Sequence, residues 1–159
     1  VIAFGRDDNE TLAAALGAAA VNGGAHIVAY FDQQSFADLL KAHCSRAEAN
    51  VSLSIEMMVR SAQDPGSSRV QRQLLSTLEG PTQFSLQVPH DAVPVTYGAL
   101  FTELKSKHEA TLFGVANSTL GDDLILNASL DASVGPGMTL YFMAPQRIDP
   151  ARIDWPALA

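Results

Sequence analysis

Cysteine is almost absent from this chain: Cys44 is the only one among 159 residues. No intrachain disulfide can form, and a cysteine-rich zinc site is excluded. A reducing compartment suits such a sequence. Positive charge is scarce as well, with 10 Lys and Arg against 17 Asp and Glu and a net charge of −7. A surface that tracks a phosphate backbone needs clustered Lys and Arg, so nucleic acid is not an expected partner. No apolar run reaches the length of a membrane span, and no signal peptide is visible. Catalytic signatures are missing too. There is no Gly-x-Ser-x-Gly elbow, no His-x-x-x-His pair and no His-Glu-x-x-His run, so neither a catalytic residue nor a metal site is expected. His43 and Cys44 are adjacent, and neighbours on a helix do not face each other.

What is present is a globular composition, 47% hydrophobic and 17% charged, long enough to bury a real core. Val1-Ile2-Ala3-Phe4 is fully apolar and predicts a parallel strand covered on both faces. The turn after it, Gly5-Arg6-Asp7-Asp8-Asn9-Glu10, is acidic and lacks the glycines of a phosphate loop. Asp7, Asp8 or Asn9 can cap a helix running to about Val21, and Asn22-Gly23-Gly24 supplies a left-handed stop. A second strand follows at His26–Phe31, a capping turn at Asp32–Ser35, a helix at Phe36–His43 and a brief strand at Val51–Leu53. Strands alternating with helices over short links predict a parallel sheet, half of a doubly wound domain.

Ile55 to Gln63 reads as a helix with Ile55, Met58, Val59 and Ala62 on one face. Asp64-Pro65-Gly66 breaks it, and Ser67 or Ser68 can cap a second arm carrying Val70, Leu74, Leu75 and Leu78. Beyond Gly80 the pattern changes. Gln83 to Val88 alternates as a half-exposed strand does, and Thr96 can cap a helix from Tyr97 to about Lys107, with Leu100, Phe101 and Leu104 inward. Strands at 110–116, 123–127 and 138–143 complete a small α+β lobe with a mostly antiparallel sheet. The tail from Pro145 is expected to be irregular.

Several of these segments resemble one family. Tyr97-Gly98-Ala99-Leu100-Phe101, then Leu104, then Ala110-Thr111-Leu112-Phe113-Gly114-Val115, resemble the helix and strand that open the regulatory lobe of the RCK family (TrkA-N plus TrkA-C, or KTN). Val134 to Tyr141 resembles that lobe's closing strand, with Met138 where the family usually has Asp. Asp7 to Leu12 resembles the turn after the family's fourth strand. Asn22 to Ala29 is similar to its fifth, with Gly23 replacing a Pro. The bent helices around Asp64-Pro65-Gly66 are similar to its dimerising crossover. The resemblance spans nearly all of residues 1 to 145 and leaves out the family's first three strands and its Gly-x-Gly-x-x-Gly loop.

The resemblance implies half of a Rossmann-like (TrkA-N) domain over residues 1–54, crossover helices over 55–80, a TrkA-C-like lobe over 81–146 and a tail over 147–159. It implies a non-catalytic gating domain of a bacterial potassium channel or cation transporter, at the cytoplasmic face of the membrane. A pore domain would lie upstream, since a chain opening on Val1 reads as a fragment. Asp7, Asp8, Asn9 and Thr11 would edge a nucleotide cleft. The fragment itself is expected to hold no cofactor, and NAD or an adenine nucleotide would belong to the full domain. Ile55, Met58, Val59, Ala62, Val70 and Leu74 would form the contact of a dimer or larger ring. Two other readings stand beside it, a fragment of a dinucleotide-dependent oxidoreductase and a ligand-free dimerisation module.

Overall fold

A computed structural model describes residues 1–76, 78 and 80–158. Thr77, Glu79 and Ala159, which fall in the expected crossover and tail, lie outside the described residues. The chain divides between Pro65 and Gly66 into two compact units, each treated by itself.

The first unit alternates strand and helix: β1 (Ile2–Ala3), α1 (Asp8–Val21), β2 (Val28–Phe31), α2 (Gln34–His43), β3 (Glu48–Val51) and α3 (Ser54–Gln63). The three strands form a parallel sheet in the order β1-β2-β3. Ile2 is opposite Val28, which is opposite Glu48, and Ala3 is opposite Ala29, which is opposite Ala49. Side chains alternate across a strand, so this register sorts the sheet into two faces. One face carries Ala3, Ala29 and Phe31, buried with Ala15 of α1 and with Ala37 and Leu40 of α2. Small residues at these crossing points let the helices lie close to the sheet.

The other face is open. Ile2 is 84% and Phe4 74% exposed, and the ring of Phe4 lies tilted against that of Tyr30, itself on this face. The expectation that Val1–Phe4 is covered on both faces is therefore wrong. Both helices that pack on these strands lie on one side, which leaves the opposite side chains bare. The left-handed stop expected at Asn22-Gly23-Gly24 is also absent. Asn22 is extended (φ −142°), and its Oδ1 accepts from Gly24 N at 3.1 Å, so an Asn side-chain turn ends α1.

The second unit opens with α4 (Ser67–Leu75) and continues through β4 (Thr82–Gln87), β5 (Val95–Thr96), α5 (Tyr97–His108), β6 (Thr111–Ala116), β7 (Ile125–Leu126), β8 (Ser133–Val134) and β9 (Thr139–Ala144). Neither Ser67 nor Ser68 caps α4. Gly66 does so at φ +98°, a conformation that favours glycine. The sheet runs β4-β9-β6-β7, all antiparallel, with a separate two-residue pair of β5 and β8. Thr96 caps α5 as expected, its Oγ1 accepting from Ala99 N at 3.2 Å. Leu100 and Leu104 point inward, whereas Phe101 is exposed. Tyr97 takes the inward place, donating its hydroxyl to the Leu112 carbonyl at 3.3 Å.

The tail is not irregular. It forms two 3₁₀ turns, Pro150–Arg152 and Trp155–Leu158, and sends Ile148, Ile153 and Trp155 into the same core as Leu86, Leu100 and Phe142. Asp149 caps the first turn by accepting from Ala151 N at 3.0 Å. Trp155 donates Nε1 to the Pro150 carbonyl at 3.1 Å, so its burial leaves no indole donor unpaired. Truncation of a buried isoleucine leaves a cavity, so Ile153→Ala should cost the second unit about 2–4 kcal/mol in denaturant unfolding. Leu78→Ala, at a fully open position, should change stability by less than about 0.5 kcal/mol.

Candidate functional site

The acidic turn between β1 and α1 lies at the carboxyl end of a parallel strand, the usual place for a ligand in an open α/β sheet. Its side chains are largely committed to the protein itself. Asp7 caps α1, Oδ1 accepting from Glu10 N at 2.9 Å. Asp8 is buried, and its two oxygens accept from Asp32 N at 2.9 Å and Gln33 N at 3.0 Å. These amides belong to the turn that leads into α2. One carboxylate thus ties the first turn of α1 to the β2–α2 turn. Thr11 is buried, and its Oγ1 accepts from Gly5 N at 2.9 Å. A Cβ at Gly5 would meet the Glu10 side chain and the Thr11 backbone, so the tightness of this turn requires glycine. Glu10 forms an exposed ion pair with Arg6, which holds its carboxyl below the usual range. Of the four expected cleft residues only Asn9 is exposed with a side chain that makes no hydrogen bond among the described residues.

The expected contact residues are placed differently. On α3, Ile55 is 72% and Met58 70% exposed, with Val59 and Ala62 exposed beside them and Leu53 just before. No residue of α3 is buried. On α4, Val70 and Leu75 are exposed, Leu74 is half-buried, and again no residue is buried. Each helix has apolar residues at three- and four-residue spacing and leaves most of them exposed, Leu74 excepted.

Elsewhere the polar chemistry is local. Asp123 accepts from Asn117 N at 2.9 Å, Ser118 N at 3.1 Å and Asn117 Nδ2 at 2.7 Å. Those donors lower its carboxyl from the ordinary 3.8 to about 2. Asp131 takes the hydroxyl of Ser129, which lowers it too. Among the described residues no three His, Cys, Asp or Glu side chains come together to hold a metal ion. His43 bonds the Leu39 carbonyl of its own helix at 2.9 Å, and His26 lies 3.5 Å from Glu48. A feature the sequence did not signal is a cavity of about 490 Å³ in the second unit, between the loop at Pro89–Val93 and the tail. No motif marks it, because the tail's packing creates it.

No protein-family model matches the chain, and neither does any curated protein sequence. Solved structures do match. The human SLO3 gating ring aligns over 87% of this chain and 30% of its own, with a TM-score of 0.63 at 11% identity. Over the aligned residues the chain shares the fold of that gating ring. At that identity the likeness concerns the fold, and the chain spans only 30% of the gating-ring chain. The GsuK RCK domain aligns over 91% of this chain and 30% of its own at 15% identity, with a TM-score of 0.39. The NAD-bound GsuK channel gives 91%, 25%, 14% and 0.39 for the same quantities.

Two outcomes follow from this geometry. Asp8→Ala should destabilise the first unit by about 3 kcal/mol, since two charge-assisted bonds are lost, whereas Asn9→Ala should cost less than about 0.5 kcal/mol in the same unfolding assay. Asp123 should titrate at about 2 by carboxyl NMR. Because its folded value is depressed, its stabilising effect is present above the unfolded value of 3.8 and is lost as pH falls from there through about 2.

Proposed function

We propose that this chain is a regulatory gating domain of a potassium channel or cation transporter, acting at the cytoplasmic face of a membrane and without catalysis of its own. The observation that carries the reading is the uncovered apolar face of α3 within a gating-ring fold. Ile55, Met58, Val59 and Ala62 form a contiguous stripe on α3, and Val70 and Leu74 form a second on α4. Exposed apolar stripes of this kind need a partner, and a second copy of the chain supplies the same stripes by symmetry.

Gating then works by population shift. A ligand that binds one arrangement of the paired domains better than the other moves the pair toward it, and the pair passes the change to a pore. Among the described residues no helix is long and apolar enough to cross a membrane, so in this reading the pore is a separate segment or chain. NAD or an adenine nucleotide would need phosphate-holding residues beyond these 159. The acidic turn at Asp7–Thr11 supports at most the edge of such a cleft, since its side chains already hold α1 and α2 in place.

Sedimentation velocity tests the pairing. The chain should sediment as a dimer or larger assembly at micromolar concentration. Met58→Glu should raise the dissociation constant about a hundredfold, the equivalent of about 2.7 kcal/mol. A wild-type chain that stays monomeric at that concentration overturns the reading.

A further inference from the structure

We propose that the second unit binds a small organic cation, an ammonium with an apolar body, in the cavity between the Pro89–Val93 loop and the tail. The volume, about 490 Å³, suits a small organic molecule and is far more than a bare ion needs. Its apolar walls include Val93, Ile153 and Trp155, and prolines at 89, 150 and 156 stiffen its rim. Proline-fixed backbone reduces the ordering cost that a ligand would otherwise meet.

The charge in this cavity has one sign. Asp91 and Asp149 line it, and among the described residues no Lys, Arg or His does. Asp91 makes no side-chain hydrogen bond or ion pair among the described residues. Asp149 spends one oxygen on Ala151 N at 3.0 Å and leaves the other unpaired among them. Two carboxylates without a counter-charge, set against apolar walls, are complemented by a cation that also carries apolar surface. A hard divalent cation fits poorly, because it requires six or more oxygen ligands and gains nothing from Val93 or Ile153. Trp155 lines the cavity at its edge, fixed by its bond to the Pro150 carbonyl and buried to 7% exposure. The inference stands on the second unit alone and does not require the gating reading.

Trp155 is the only tryptophan in the chain, so its fluorescence reports on this cavity. The 159-residue chain is titrated with phenethylammonium chloride, with 2-phenylethanol as the neutral analogue and sodium chloride as the salt control. The expected result is a saturable emission change with the ammonium alone. Asp91→Asn combined with Asp149→Asn should weaken it by about tenfold or more, with an unchanged far-ultraviolet dichroism spectrum. Asn at position 149 retains an oxygen for Ala151 N, so the turn is kept. No saturable change, equal binding of the alcohol, or undiminished affinity in the folded double variant each overturns the proposal.

Discussion

Burial on one face only is the constraint from which the rest of the first unit follows. Three short parallel strands present two faces, and α1 and α2 cover one of them with alanine-rich surfaces. The covered face must therefore be held in tight register, because small side chains tolerate little displacement before voids open. Asp8 supplies that hold at the carboxyl ends of the strands. Its carboxylate holds the turn that leads into α2 and links it to α1, so the turn that first suggests a ligand site is already part of the scaffold.

The second unit solves the same problem differently. Its antiparallel sheet is closed over by α5 and by the tail, whose Ile148, Ile153 and Trp155 complete the core. That closure brings the Pro89–Val93 loop opposite Pro150 and Trp155 and leaves a lined hollow between them. Glycines mark where elements approach most closely. A Cβ at Gly114 would meet Leu124 at 2.9 Å, and one at Gly98 would meet the Leu130 backbone at 3.0 Å, so the segment between β6 and β8 rests directly on β6 and α5.

Much of this fold can be read from the sequence because its elements are punctuated by strong local signals. Thr96 before an apolar stripe, Asp7 before an alanine-rich run, and Pro65-Gly66 between two amphipathic arms each act over a few residues. What could not be read is long-range. Val1–Phe4 is apolar enough for a doubly covered strand, but coverage depends on which side the helices take, and nothing within four residues encodes that. Asp8 looks like any first-turn acid until its partners 24 and 25 residues away are known. The tail reads as loop because three prolines follow one another at close intervals. Two apolar residues and one tryptophan suffice to fold it back once a core is there to receive them. The cavity was invisible for the same reason.

The helices α3 and α4 remain the part of the molecule whose chemistry asks most plainly for something else. Most of their apolar residues are left exposed, while both cores are completed without them. In the reading proposed above, a second copy of the chain is the cover for these residues. Amide hydrogen exchange measured across a range of protein concentrations tests this most directly, because it reports which surface is covered. The account predicts that amides of α3 and α4 gain protection as concentration rises, and that Met58→Glu abolishes the gain. Exchange in these helices that stays independent of concentration, or protection that grows on another face instead, would contradict it.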